Sequence, residues 1–214
     1  WPLPPPDGDG GPNFSSWTDE RIGHLHEGSN DGSTGVVNQF VDVQGKGSHA
    51  HKIIARRVAA EGTILLKNKE GILPLSREGI PEGVYRVGVY GEDAGPGRGP
   101  NACPDRGCNQ GTLASGWGSG AVNFPYLVSP WGALQSAWKE GRAEVTAYLT
   151  NKVKPEDAED KDLCLVFVNA DGGEGFIESD GIHGDRNDLF VQKDGLQTII
   201  TVAETCGNGK GRTI

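Results

Sequence analysis

The chain has 214 residues and a mass of 22.6 kDa, enough for one domain with a core and a flanking segment, but not for two ordinary domains. Its 34 glycines and 13 prolines disfavour a helical bundle, and the lack of a Gly-x-y period excludes collagen. The net charge of −9 argues against binding to nucleic acid or an anionic membrane surface, and no apolar run is long enough to cross a bilayer.

Residues 1–47 are rich in Pro, Gly, Asn and Ser and show little hydrophobic periodicity. This composition predicts an extended linker or arm that lies across a neighbouring domain, anchored by residues such as Phe14 and Trp17. The chain contains no Met, and 210–214 resemble the beginning of a strand. We therefore expect a processed or partial chain.

Beyond the arm, the apolar pattern predicts alternating helices and strands. A helix is expected over 49–61 with Ser48 as its N-cap, followed by a short strand over 63–67. Further strands are expected at 84–90, 144–149 and 163–168, and further helices at 130–138 and 196–203. Alternation of this kind predicts an α/β domain over 48–214, incomplete at its C-terminus, with a mostly parallel sheet flanked by helices.

Two long loops follow predicted strands, at 91–128 and at 169–188. In open α/β sheets, sites collect at the carboxyl ends of the strands, and long loops in compact domains usually serve a function. A phosphate site in 88–99 is disfavoured because the Gly-Lys-Ser/Thr and G-x-G-x-x-G patterns are missing and Pro96 lacks an N–H.

The loop at 169–188 is rich in acids, but their spacing is not that of an EF-hand, and the cysteine and histidine spacing does not fit zinc. No metal and no cofactor are therefore expected. The acids concerned are Asp171, Glu174, Asp180, Asp185 and Asp188.

Glu174 is the acid with the most suggestive surroundings, because Gly173 and Gly175 flank it and free its backbone to project the carboxyl outward. Phe176 offers an aromatic face of the kind that stacks on sugar rings. A carboxyl desolvated beside such a face could serve as a general acid. From spacing alone, a solvated surface acid is the stronger interpretation.

Four cysteines allow three pairings. Cys103 and Cys108 lie in a Gly/Pro-rich loop that a local disulfide would staple, whereas Cys164 fits a small buried thiol and Cys206 a free one. Asn13 heads the N-x-S/T sequon at 13–15. A sequon together with a loop disulfide favours a secreted, extracellular protein.

Taken together, several motifs resemble those of the fungal β-glucosidases of glycoside hydrolase family 3, from their interdomain linker into their second domain. The most specific stretch is 166–176, which ends in Asp171-Gly172-Gly173-Glu174-Gly175-Phe176. The other matching stretches are 12–17, 37–44, 64–68, 72–75, 91–96, 103–108, 116–120, 124–126 and 184–186.

This resemblance implies a retaining enzyme that removes terminal non-reducing β-D-glucosyl residues from cellobiose and from aryl or alkyl β-glucosides. A barrel domain of the same enzyme would supply the aspartate nucleophile, and this chain would supply Glu174 as acid/base from its α/β sandwich domain. Phe176, where relatives often carry Tyr, and Asp171 become candidate substrate-binding residues. The resemblance also implies a Cys103–Cys108 disulfide and makes a homodimer of the full enzyme a candidate assembly.

Retaining hydrolysis needs two carboxyls about 5–5.5 Å apart on opposite sides of the sugar. Asp171 and Glu174 share one short loop and can hardly straddle a ring, and no Ser-Asp-Trp nucleophile motif occurs in the chain. We therefore expect the isolated chain to be nearly inactive. The alternatives are a non-catalytic carbohydrate-binding or scaffolding module, and a family member with other specificity, such as a β-xylosidase.

Overall fold

The computed structural model describes residues 51–97, 110–118 and 127–214, together with the backbone of two short strands. These strands, β1 (Ile22–Gly23) and β2 (Gly35–Val36), pair antiparallel with Ile22 opposite Val36. The chain divides into two compact units, Trp1–Leu66 and Lys67–Ile214. The predicted domain boundary after residue 47 stays a prediction.

In the first unit the predicted helix is confirmed as α1 (His51–Gly62), while Ser48, its predicted N-cap, lies outside the described residues. Arg57 and Glu61 form an ion pair one turn apart, with 2.7 Å between Nε and Oε1. The strand predicted over 63–67 is wrong, because this segment pairs with no strand in the part of the chain that the structure describes and Leu66 is 92% exposed. A short apolar run does not make a strand without a backbone partner.

The second unit confirms the predicted alternation of strands and helices. In chain order it contains β3 (Tyr85–Tyr90), α2 (Pro130–Leu134), β4 (Ala143–Tyr148), β5 (Leu163–Val166), β6 (Glu178–Ser179), β7 (Ile182–His183), α3 (Gly195–Thr205) and β8 (Arg212–Thr213).

Four of these strands form one parallel sheet in the order β4-β3-β5-β8. Tyr85 lies opposite Ala143, and Val87 lies opposite Leu163. The chain continues from β3 to its neighbour β4 on one side of the sheet, and from β5 to its neighbour β8 on the other side. The strand order therefore reverses between β3 and β5, although all four strands run parallel. The α/β class with a mostly parallel sheet is confirmed.

Successive residues of a strand point to opposite faces of the sheet, and the buried residues here form two separate core clusters, one on each face. Val87, Leu163 and Leu165 pack on the face that carries Leu134 of α2 and the segment 72–80. Tyr90 and Cys164 pack on the other face, together with Val202 of α3 and Cys206. The sheet is therefore covered on both faces, which agrees with the continuous apolar sequence of β5.

Helix α2 begins where the sequence predicts but ends earlier. Ser129 caps it by accepting a 3.1 Å hydrogen bond from the Gly132 N–H, and the helix stops at Leu134 rather than at 138. Trp138 nevertheless packs against the same core cluster, with its ring edge-on to Tyr85. The apolar pattern thus identified the buried side chains correctly but overestimated the helix length.

The expectation that Cys164 and Cys206 are thiols is wrong, because these two cysteines form a disulfide with Cα atoms 6.2 Å apart. Both are fully buried. Helix α3 crosses from β5 to β8 and returns its last residues to the face of β5 on which Cys164 lies. The two cysteines are 42 residues apart in the sequence, and this crossover brings them together. The disulfide therefore could not be predicted from the sequence alone.

Removal of this cross-link is expected to destabilise the second unit by about 2–4 kcal/mol, since the bond closes a long loop in the unfolded chain. Urea unfolding of Cys164→Ala/Cys206→Ala against the parent chain measures the loss. Peptide mapping of the alkylated, unreduced chain should recover the Cys164–Cys206 pair. Alkylation of both cysteines, or an unchanged unfolding midpoint, would contradict this expectation.

Candidate functional site

The carboxyl ends of β3 and β5 lie side by side where the strand order reverses, the position at which open α/β sheets form their sites. Gly91 follows β3 with φ +101°, a backbone conformation that favours glycine. A Cβ at this position would lie 2.0 Å from the Phe167 carbonyl oxygen. Only glycine therefore lets the two loops leave the sheet in such close contact.

Asp93 and Asn169 connect the two loops just beyond the sheet. One carboxylate oxygen of Asp93 accepts hydrogen bonds from the Leu113 N–H at 2.8 Å and from Asn169 Nδ2 at 2.9 Å. The Thr112 hydroxyl donates to the Asp93 carbonyl at 2.9 Å. Residues 110–118 are thus held over the start of the acidic loop.

Trp117 and Asp171 form a buried contact between the same loops. Trp117 is 2% exposed and donates from Nε1 to Asp171 Oδ2 at 3.2 Å, while Asp171 itself is 7% exposed. Gln192 fixes the backbone of Asp171 from both sides, accepting from its N–H at 2.9 Å and donating to its carbonyl at 2.6 Å. Asp171 is therefore held rigidly beneath the loop surface.

Glu174 lies on the outside of this arrangement. It is exposed and has φ +59°, which is uncommon for a residue with a side chain. Its carboxyl group rests against Gly118, where a Cβ would lie 2.3 Å from Glu174 Oε2. A Cβ at Gly173 would lie 2.8 Å from Trp117 Cβ, so the residue before Glu174 rests directly on this tryptophan.

A β-hairpin continues the loop after Glu174. Strands β6 and β7 are joined by Asp180 and Gly181, both with positive φ, in the geometry of a type I′ turn. Lys193 lies between two carboxylates, with Nζ 3.3 Å from Asp180 Oδ2 and 3.4 Å from Glu92 Oε1. This ion pair ties the hairpin tip to the loop that follows β3.

Phe176 is 73% exposed, so its ring is open to a ligand. Glu174 is also exposed, and the desolvation expected for it beside Phe176 is not found within the described part of the chain. An open groove of about 710 Å³ runs along the loops, with Leu113 and Ala114 on one side and Asp171 and Arg186 on the other.

Across residues 51–97, 110–118 and 127–214, no three His, Cys, Asp or Glu side chains gather as a metal site requires. In the same ranges no helix is long and apolar enough to span a bilayer. Asn13, Cys103 and Cys108 lie outside the described residues. The sequence alone did not assign roles to Asp93, Trp117, Gly118, Asn169 and Gln192, and all of these except Gln192 were noted only as parts of matching motifs.

The chain matches the family model described as "Glycosyl hydrolase family 3 C-terminal domain" over residues 63–209. It is 66% identical to "Probable beta-glucosidase E" of Neosartorya fischeri over 216 residues, covering 100% of this chain and 21% of the relative. It is 60% identical to the protein of the same name from Emericella nidulans, covering 97% of this chain and 20% of the relative. The chain thus spans about a fifth of the length of these relatives.

Two solved structures show the same arrangement. A family 3 β-glucosidase from Neurospora crassa matches with a TM-score of 0.70 and 41% identity, over 94% of this chain and 23% of that one. A Chaetomium thermophilum β-glucosidase matches with a TM-score of 0.71 and 43% identity, over 92% of this chain and 23% of that one. The fold is shared with both.

Burial raises the pKa of Asp171 above its ordinary value, although the charge of Lys193 and the Trp117 hydrogen bond act in the opposite direction. The folded state then holds this proton more tightly than the unfolded state does. Relative to Asp171→Asn, the parent chain should lose stability as the pH rises from the ordinary aspartate pKa through the raised one, and the difference should then stay constant.

Urea unfolding of both proteins from pH 3 to pH 7 measures this difference. A stability difference that grows in favour of the aspartate as the pH rises would mean that the carboxylate is stabilised by the fold, which is the opposite of the stated direction.

Proposed function

We propose that this chain, which belongs to the glycosyl hydrolase family 3 C-terminal domain family, supplies the acid/base residue of a retaining β-glucosidase. The observation that carries the proposal is the position of Glu174. It is exposed on the loop at the carboxyl end of β5, with its carboxyl against Gly118 of the loop that follows β3. The loops that follow β3 and β5 start where the strand order reverses, and together they position this solvent-exposed acid.

The proposed mechanism uses Glu174 in both half-reactions. As a protonated acid it gives its proton to the glycosidic oxygen while the leaving sugar departs. As a carboxylate it then takes a proton from the water that attacks the covalent glycosyl-enzyme. This chain moves protons, and the bond to the anomeric carbon is made and broken by another carboxylate.

The described residues offer Asp171 as a nearby carboxyl, and its geometry does not suit a nucleophile. It is 7% exposed, and its Oδ2 accepts from the Trp117 indole. A nucleophile has to reach the anomeric carbon from the face opposite to the acid. We therefore assign the nucleophile to a barrel domain of the same enzyme and expect the isolated chain to be nearly inactive.

The proposed substrates are terminal non-reducing β-D-glucosides, including cellobiose. The names of the Neosartorya fischeri and Emericella nidulans relatives support glucose over xylose as the sugar. Phe176 is exposed two residues after the proposed acid, where its ring could stack against the leaving sugar.

Secretion is a further part of the proposal. The fully buried Cys164–Cys206 disulfide supports folding in an oxidising compartment, because such bonds persist mainly outside the cytosol. Glycosylation at Asn13 would accompany passage through that compartment.

A chimera in which this chain replaces the matched segment of the Neosartorya fischeri relative provides the barrel for a test. In it, Glu174→Gln should reduce kcat/KM on cellobiose by about 10²–10⁴. The kcat/KM on 2,4-dinitrophenyl β-glucoside, which reports only the step that releases the leaving group, should fall much less, since this leaving group needs little protonation. Steady-state kinetics on both substrates measure the contrast.

The matched control is Glu178→Gln, which removes an exposed carboxylate from β6 and should leave both rates near the parent values. An inactive parent chimera, or equal losses on both substrates in Glu174→Gln, would contradict the proposed role.

Gly118 provides a second test, because the Glu174 carboxyl occupies the space that a side chain would need there. Gly118→Ala should displace the acid and reduce kcat on cellobiose by at least about tenfold, as misplacement of a catalytic group does. Gly116→Ala in the same loop is the control, since a Cβ there meets no atom within 4 Å. Equal rates for the two variants would show that the contact with Gly118 does not orient Glu174.

A further inference from the structure

We propose that Asp171 is a positioning residue that orients Glu174 through the indole of Trp117. This inference rests on the proposed function of Glu174 and adds to it a residue that acts on the acid rather than on the sugar. Asp171 entered the sequence analysis as a candidate substrate contact, whereas its burial places it beneath the loop.

Hydrogen bonds on both sides of its backbone hold Asp171 in place. Gln192 closes a pair of hydrogen bonds with its backbone N–H and carbonyl, at 2.9 and 2.6 Å. The Gln192 N–H in turn donates to the Asn169 carbonyl at 3.1 Å. Asp171 is thus fixed to the end of β5 and to the segment that enters α3, both of which are rigid parts of the sheet layer.

Asp171 fixes the Trp117 ring. The indole N–H donates to Asp171 Oδ2 at 3.2 Å, and the ring packs in a small apolar cluster with Ile177 and Ile182. Packing alone would hold the ring in place, whereas the hydrogen bond selects its rotation.

Trp117 is linked to Glu174 on two sides. The tryptophan lies under Gly173, which directly precedes Glu174, and it is followed by Gly118, against which the Glu174 carboxyl rests. A rotation or shift of Trp117 would therefore move both the backbone that carries the acid and the surface that supports its carboxyl.

A polar side chain at this position is costly for the fold. Asp171 Oδ1 is buried and has no hydrogen-bond partner within the described part of the chain. Leaving a buried polar atom unpaired is destabilising. An apolar residue would avoid this cost, so the presence of a hydrogen-bond acceptor is explained by the orientation that it imposes on Trp117.

The test uses the Neosartorya fischeri chimera with Asp171→Leu and Trp117→Phe, which remove the acceptor and the donor of the same bond. Each should lower kcat on cellobiose by about 10–100-fold, since misplacement by about 1 Å costs this much, with KM nearly unchanged. The loss in kcat/KM on 2,4-dinitrophenyl β-glucoside, which reports only the step that releases the leaving group, should be several-fold smaller than the loss in kcat/KM on cellobiose. Trp117→Phe keeps an aromatic ring in the cluster and provides the test if Asp171→Leu does not fold.

Two further variants separate orientation from general damage. Asp171→Asn keeps an oxygen acceptor and should recover most of the kcat lost in Asp171→Leu. The double variant Asp171→Leu/Trp117→Phe should be no slower than the slower single variant, because the two residues act as one unit. The inference would be overturned if the losses of the two single variants multiplied in the double variant, if KM rose, or if the losses on the two substrates were equal.

The outcome for Glu174→Gln keeps this inference distinct from the proposed function. If Glu174→Gln lacks the contrast between leaving groups, the proposed function fails. If Glu174→Gln shows this contrast and neither Asp171→Leu nor Trp117→Phe does, only the positioning role fails.

Discussion

The pairing of β3 with β5 is the constraint on which the remaining structure depends. Its register places Tyr90 beside Val166, so that the two strands end together and their loops leave the sheet at one point. Gly91 lies so close to the Phe167 carbonyl that no side chain fits between them. A slip of one residue would exchange the two faces of β5 and separate the loops that carry Trp117 and Glu174.

Polar contacts, rather than apolar packing, convert this pairing into a defined site. The side chains of Asp93 and Gln192 bind the backbone of the neighbouring loops, which contain little regular structure, and the Asn169 side chain donates to the Asp93 carboxylate. Buried hydrogen bonds of this kind contribute modestly when formed and cost more when broken, so they specify one loop arrangement. The exposed acid therefore projects from a support that is rigid although it consists of loops.

β3, β4, β5 and α3 could be predicted from the sequence because each carries a strong apolar pattern and sufficient length. Other features required three-dimensional information: the Cys164–Cys206 bond depends on the crossover of α3, and the run 63–67 is apolar yet unpaired. The hairpin of β6 and β7 did leave a signal, because Asp180-Gly181 is a favoured type I′ pair. Glu174 was accessible to prediction through its flanking glycines and the family motif, whereas the support from Trp117 and Asp171 depends on long-range contacts.

Azide tests most directly whether this chain supplies the proton donor while another domain supplies the nucleophile. In the Glu174→Ala chimera, azide needs no general base and should attack the glycosyl-enzyme formed from 2,4-dinitrophenyl β-glucoside. The account predicts faster turnover and β-glucosyl azide as the product, measured by NMR. Formation of the α-azide would identify Glu174 as the nucleophile, and absence of any azide product would contradict its role as acid/base.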